Sequence, residues 1–449
     1  MSASIVHAIG CIKRNVAHCL SEAAIEQACH EAGYRWRRRT LGPAQTVWAF
    51  ALQVLHGNVA CTHAVRLAQL TCSAAAYCDA RIRLPLQVLQ RIVELTSQAA
   101  GRGATVALWR GHRTWLVDGS SFSMPDTPAL QARFGQSGAQ QPGCGFPVAH
   151  LLALFDAASG LLLQAEALPL RTHDAAHLSA GLAKLARGDV LVGDRGFASY
   201  VHLALLLQAG LQGVFRIHQR QLVSFRRDRR LSGRQPKGTK ATHANSRLIA
   251  KLGRFDQVVE YDKPATRAKW LTPAGYAALA ETIRVRELRY YTKVRGFRTR
   301  VVTLVTTLLD EKLYPLDDMA ELYRRRWEVE TNFAHLKTTM HMDVLRCHTV
   351  EGVLKELAIY MLVYNLTRMV MLAGAKNQGV LPQRVSFVDA LRWLAQACQG
   401  DVELELHVNG LRPHRIEPRA YKRRGKPYDL LNKPRRQLIQ QLLAKPLTN

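Results

Sequence analysis

The sequence predicts an α/β protein built on a mixed sheet, with a helical amino-terminal region and a β-rich insertion, and three observations carry that expectation. Between residues 104 and 218, short apolar runs ending in Asp and Gly alternate with segments of helical periodicity. The first hundred residues show helical spacing alone, and a stretch of β-branched runs separates the alternating region from a second helical one. The length of 449 residues, 48% hydrophobic, suits a large core divided into roughly two to four units.

Residues 1–100 are expected to form a helical amino-terminal domain, with helices over 22–32, 45–56, 62–70 and 86–99 separated by Gly, Pro and polar breaks. Its basic run, Arg35-Trp36-Arg37-Arg38-Arg39, is a candidate polyanion contact. Residues 101–218 read as the first part of the core: strands at 114–118, 148–156 and 161–167, a helix over 175–186, a strand at 189–193, a helix over 199–209 and a strand at 213–217. The first three strands can form an antiparallel meander around Asp118, and the strand-helix-strand unit then brings Asp194 beside it.

Residues 219–312 form the expected insertion, opening with the basic run that contains Arg226, Arg227, Arg229, Arg230, Arg234, Lys237 and Lys240 and continuing through strands near 255–261, 283–291 and 299–308. Residues 313–400 return to helix over 316–340, 350–375 and 387–399, completing the core. Residues 401–449 are a basic tail in which Pro interrupts Lys and Arg, which predicts extended backbone from Leu411 onward.

Charge narrows the partners. Sixty-two Lys and Arg against 34 Asp and Glu leave a net charge of +28, which for a folded chain implies a polyanion, most economically nucleic acid. The nine Cys include no Cys-x-x-Cys pair, so spacing predicts neither a disulfide framework nor a structural zinc. The amino end lacks a secretory signal, which predicts an intracellular protein. The most apolar stretch, Leu357 to Leu372, is interrupted by Asn365 and Arg368 and reads as a core helix rather than a membrane span.

The candidate chemistry lies in three acids. Thr114-Trp115-Leu116-Val117-Asp118-Gly119-Ser120 and Val190-Leu191-Val192-Gly193-Asp194-Arg195-Gly196 each place an Asp at the end of an apolar strand. In the first of the late helical regions, Tyr323, Arg326, Glu330 and Lys337 fall at relative positions 0, 3, 7 and 14, within about 60° of one another at about 100° per residue. Glu328 points to the other side of that helix. An α/β fold can gather Asp118, Asp194 and Glu330 at one point. Two like charges 4 Å apart repel by about 4 kcal/mol at an effective dielectric of 20, so such a cluster raises a pKa or binds cations. Hard carboxylate oxygens suit Mg²⁺ or Mn²⁺, and a pair of such ions serves in-line attack at phosphorus.

These segments resemble the bacterial insertion-sequence transposases of the Asp-Asp-Glu type, in the family named after insertion sequence 4. Its Tyr-x2-Arg-x3-Glu-x6-Lys signature is matched at Tyr323, Arg326, Glu330 and Lys337, and the likeness extends through Val117 to Pro128, Gly193 to Phe197 and the basic tail at Arg412-Pro413 and Lys422-Arg423-Arg424. The resemblance implies a ribonuclease-H-like catalytic core in which Asp118, Asp194 and Glu330 hold two Mg²⁺ ions, with Mn²⁺ as a substitute, while Tyr323, Arg326 and Lys337 hold transposon-end DNA. It further implies cut-and-paste transposition, commonly through a hairpin, by a homodimer synapsing two double-stranded ends and a target. The setting would be the bacterial cytoplasm, at the nucleoid when bound to DNA. Relatives that flip a base place a Trp shortly before the signature helix. The strand over residues 299–306 has no aromatic here, leaving Trp270, Tyr290, Tyr291 and Phe297 as substitutes. Two rival readings are a metal nuclease that hydrolyses without joining, and an inactive or regulatory DNA-binding remnant.

Overall fold

Apolar residues follow one another without a break from Trp115 to Val117, so both faces of the strand they form can be buried, and the rest of the sheet grows around it. The computed structural model describes residues 4–37, 41–101, 108–170, 181–226, 242–292, 301–411 and 428–444. Outside it lie Arg38 and Arg39, the first half of the helix expected over 175–186, the basic run from Arg227 to Lys240, Phe297, and the tail from Arg412 to Lys426.

Eleven strands occur among the described residues: β1 (Thr114–Ser123), β2 (Val148–Asp156), β3 (Leu162–Pro169), β4 (Val190–Gly193), β5 (Gln212–Arg216), β6 (Gln221–Leu222), β7 (Thr242–His243), β8 (Ser246–Gly253), β9 (Asp256–Asp262), β10 (Thr282–Tyr291) and β11 (Val301–Thr306). Nine of them form one sheet in the order β3-β2-β1-β4-β5-β11-β10-β9-β8. β1 pairs antiparallel with β2, which pairs antiparallel with β3, while β1, β4 and β5 run parallel. This meander joined to a parallel unit is the mixed, ribonuclease-H-like core that the resemblance implies. The strands of the 219–312 stretch continue the same sheet, because β11 pairs antiparallel with β5 and so occupies the edge that β5 would otherwise expose.

Side chains on each strand divide between two apolar layers. Leu116, Ala153, Phe155, Val190, Val192 and Val214 face the layer shared with the helix Val350–Asn377. Trp115, Val117, Leu154, Leu191 and Phe215 face the layer covered by the helix Tyr200–Gln208. Helix covers both faces, as the parallel strands require.

In the amino-terminal region, the helices Glu22–Glu31, Pro43–Leu55, Cys61–Leu67 and Leu86–Gly101 occur near their expected positions. Three more occur that periodicity did not reveal: Ile5–Gly10, Arg14–Cys19 and Ala74–Arg83. The first two are six residues long, too short to display a period, and Ser4 caps the first by accepting from the His7 N–H.

Two expectations are corrected. The helix expected over 316–340 is divided into Leu316–Arg324, Trp327–Ala334 and a π-turn at His335–Thr339. At the division the backbone tightens: the N–H groups of Arg326, Glu328 and Val329 donate three residues back, to the carbonyls of Tyr323, Arg325 and Arg326. The tail is not extended throughout, because Arg435–Leu443 is a helix with Pro434 at its N-cap.

The apolar helix Val350–Asn377 is long enough to cross a membrane by length and composition, yet its most apolar stretch is 89% buried inside the protein. Its two interrupting residues are pinned to the sheet's edge. Asn365 accepts from the Leu162 N–H at 2.8 Å and donates to the Leu162 carbonyl at 2.8 Å and to Ser97 Oγ at 3.0 Å. Arg368 donates through Nε and Nη2 to the Ser159 carbonyl, at 3.1 and 2.7 Å. Asn365 thus acts as a strand partner within a helix. Replacing it by Leu leaves the Leu162 backbone groups buried and unpaired, and should destabilise the fold by about 2–4 kcal/mol, read as a lower denaturant midpoint at unchanged slope.

Candidate active site at the carboxyl ends of β1 and β4

Alternation on a strand sends residues two apart to the same face, so Asp118 follows Leu116, and Asp194 follows Val190 and Val192, toward the layer of the signature helix. The parallel register of β1 with β4 pairs Val117 with Gly193 and therefore sets the two Asp side by side at the next position. Gly193 makes this approach possible: a Cβ there would lie 2.8 Å from Val117 Cγ1 and 2.9 Å from Phe197 Cδ2. Asp194 begins a short 3-10 turn, Arg195–Phe197, and its Oδ1 accepts from the Arg195 N–H at 2.6 Å. Asp118 Oδ1 accepts from the Gly119 N–H at 2.8 Å.

The signature helix completes the site. Arg326 donates from Nη1 to Asp118 Oδ2 and from Nη2 to Glu330 Oε1, both at 3.2 Å, so one guanidinium joins a strand-end acid to the helix acid four residues on. Tyr323 is buried beside it, and both lie within electrostatic reach of Asp194. Lys337, on the π-turn, donates to Ser120 Oγ at 3.3 Å. All six residues singled out in the sequence therefore meet around one end of β1. Glu328, by contrast, faces away and pairs with Arg325 at 3.0 Å.

Burial decides the electrostatics. Desolvation pushes the Asp118 carboxyl up to about 6; the Gly119 N–H and Arg326 pull it down, and Asp194 and Glu330 raise it further. Desolvation also pushes the Tyr323 hydroxyl far above its ordinary value, with Arg326 opposing and Asp194 adding to the rise. Burial penalises the Arg326 charge, but Tyr323, Asp118, Asp194 and Glu330 outweigh it and hold the guanidinium protonated. Arg326 Nε is buried with no hydrogen-bond partner.

Among the described residues, the oxygens of Asp118, Asp194 and Glu330 do not form one set within 4.8 Å of one another, because the Arg326 guanidinium stands between two of them. The donors are nonetheless those a hard divalent cation takes: carboxylate oxygens, one of them raised in pKa by burial, around a position already occupied by a cation. The residues fit such an ion.

One further basic group carried no motif in the sequence. Arg216, at the end of β5, reaches Tyr323 electrostatically and lines a polar pocket with Arg195, His218 and Arg289. Its signal was its place, since the carboxyl ends of adjacent parallel strands are where α/β sheets bind ligands. Of the candidate aromatics, Trp270 stacks on His202, with ring centroids 5.5 Å apart, and Tyr290 is half-buried. Tyr291 is 51% exposed at the end of β10.

The family profile described as "Transposase DDE domain" matches residues 109–366, which include β1, β4 and the signature helix. The chain is 25% identical to the transposase InsG for insertion sequence element IS4 of Escherichia coli (strain K12) over 76% of its own length and 70% of that protein's. It is 26% identical to the putative transposase InsZ of the same organism, over 43% of this chain and 64% of that one. Among solved structures, a cryo-EM structure of the piggyBac transposase synaptic complex with hairpin DNA aligns with a TM-score of 0.46 at 11% identity, over 86% of this chain and 80% of that one.

The raised Asp118 pKa makes a prediction with a definite sign. The folded protein holds this proton more tightly than the unfolded chain, so stability is greatest below the unfolded value of 3.8 and is lost as pH rises toward about 6. At pH 7.5, Asp118→Asn should be more stable than the parent by about 1–3 kcal/mol, a gap that closes near pH 4; equal stability at both pH values contradicts the assignment.

Proposed function

The chain belongs to the family of DDE-domain transposases, and from that premise we propose that it binds the terminal inverted repeats of an insertion sequence, cuts the DNA at the element's ends and joins those ends to a target. One observation carries this reading: a buried guanidinium bonded to both Asp118 and Glu330 beside Asp194, at the carboxyl ends of two parallel strands.

Asp118, Asp194 and Glu330 are the proposed ligands of two Mg²⁺ ions, with Mn²⁺ as a substitute. Ions held there supply Lewis-acid activation of a water or a 3′-hydroxyl and neutralise charge that develops at phosphorus. Gly119 and Arg195 fix one oxygen of each Asp through backbone N–H groups, so the second oxygen of each is the one offered for binding, that of Asp118 once Arg326 turns away from it. Arg326 has a double role in this reading: without DNA it balances the acids, and with DNA it turns its planar fork to a phosphate. Lys337 supports the same strand as a mobile point charge next to Ser120. Tyr323, buried against Arg326, steers that turn and its hydroxyl completes the phosphate contact. No covalent protein intermediate is required, since the freed 3′-hydroxyl is itself the nucleophile for joining.

The net charge of +28 supports a long DNA contact, with each phosphate neutralised steepening the fall of log affinity against log salt by about 0.9. Two ends brought together call for two copies, so the working form is proposed as a homodimer on DNA. Exposed Tyr291 is the aromatic best placed to support a flipped base if the ends close as hairpins.

Substituting the two neighbouring acids separates this reading from its rivals. Glu330→Gln should lower Mg²⁺- or Mn²⁺-dependent end cleavage by about 10²-fold or more while leaving end binding within a few-fold, and Glu328→Gln should change neither. Nicks, hairpins and joined products resolved on one gel provide the readout. Cleavage without any joined product supports a nuclease, and equal activity of the two variants overturns the role of Glu330.

A further inference from the structure

A separate cluster of metal-binding atoms, sharing no residue with the acidic site, lies where the first helix meets the chain that follows the helix Phe387–Ala397. His7 and Cys11 are four residues apart, and the Cys11 N–H donates to the His7 carbonyl at 3.2 Å, so the helical path carries both side chains to one face. Asp401 approaches from the other segment, and His7 Nε2 lies 2.9 Å from Asp401 Oδ1. The ligand atoms of His7, Cys11 and Asp401 all lie within 4.8 Å of one another. Glu403 lines the same cavity.

The framework around these side chains is already held. The Ser4 N–H donates to the Cys398 carbonyl at 2.8 Å, anchoring the start of the first helix. Trp393 Nε1 donates to the Glu403 carbonyl at 2.8 Å, anchoring the segment that carries Asp401. Zinc bonds of about 2.0–2.1 Å to N or O and 2.3 Å to S place tetrahedral ligands about 3.3–3.7 Å apart, so small rotations of exposed side chains suffice.

We propose that His7, Cys11 and Asp401 form a site for Zn²⁺ or a similar borderline transition metal, with Glu403 or water in the fourth position, and that the ion staples the first helix to the segment after Phe387–Ala397. The donor set selects the metal. One imidazole, one thiolate and one carboxylate favour Zn²⁺ or Co²⁺ and discriminate against Mg²⁺, which the hard all-oxygen cluster at Asp118 suits. Binding converts the Cys11 thiol to a thiolate and releases its proton, so affinity rises with pH. Sequence spacing gave no sign of the site, because its ligands come from widely separated parts of the chain.

The test uses the full chain, stripped with a chelator and titrated with Co²⁺. The parent should bind Co²⁺ with a thiolate-to-metal charge-transfer band and tetrahedral d–d bands, both lost on adding Zn²⁺ and retained in a large excess of Mg²⁺. Cys11→Ala should abolish the thiolate band, and His7→Ala should weaken Zn²⁺ binding by at least about tenfold. Exposed Cys78 serves as a control, so Cys78→Ala should retain the band. Zn²⁺ should raise the melting temperature of the parent and not that of Cys11→Ala. Absence of the band in the parent, or its persistence in Cys11→Ala, overturns the site and leaves His7 and Asp401 as a hydrogen-bonded pair alone. Glu330→Gln should retain the band, so this outcome is independent of the reading of the acidic site.

Discussion

The constraint on which the rest depends is a balance of charge in a partly buried space: acids from two strand ends and one helix lie close together, and a single guanidinium holds two of them. Like charges at such separation repel by several kcal/mol, so the fold must either protonate an acid or supply a cation. It supplies a cation, Arg326, kept charged against its own desolvation, while burial first and the neighbouring acids after it push Asp118 up to about 6. A site held in this way is poised rather than relaxed. Removing Arg326 alone leaves the acids around it without compensation.

The positions of these groups follow from the sheet and from the helix packed on it. The register of Val117 with Gly193 sets the Asp pair, and the side-chain alternation of two strands decides that both point toward the signature helix. The helix Val350–Asn377 is joined to the edge of the meander by Asn365 and Arg368, which satisfy backbone groups that a purely apolar helix would strand. Glu356 performs a similar service, accepting from the N–H groups of Arg346 and Cys347 and from Asn58, and so links the chain after the signature to the amino-terminal helices. Polar side chains within the core thus fix where the acidic site stands.

Much of this was legible in the residues. The strands around Asp118 and Asp194 were visible because apolar runs stop at Asp and Gly, and Glu330 was separable from Glu328 because a helix sends them to different sides. The division of the signature helix was not legible. A turn tightened at Arg326 and widened at His335–Thr339 depends on what the helix packs against, and helix propensity does not record packing. The partner of Arg326 was hidden for the same reason: sequence spacing placed it beside Glu330, but only the sheet brings Asp118 to its other arm. The continuation of the core sheet into β11, β10, β9 and β8 also escaped the sequence, since a strand's pattern shows which residues face inward and not which edge it joins.

The most direct test of the central claim is the position of bound Mn²⁺, located by its anomalous scattering in crystals of the protein. The account predicts manganese bound by Asp118 and Asp194 with Glu330 drawn toward it, and the Arg326 guanidinium displaced from between Asp118 and Glu330. Manganese bound elsewhere, with Arg326 still bridging Asp118 and Glu330 at saturating concentration, would contradict it.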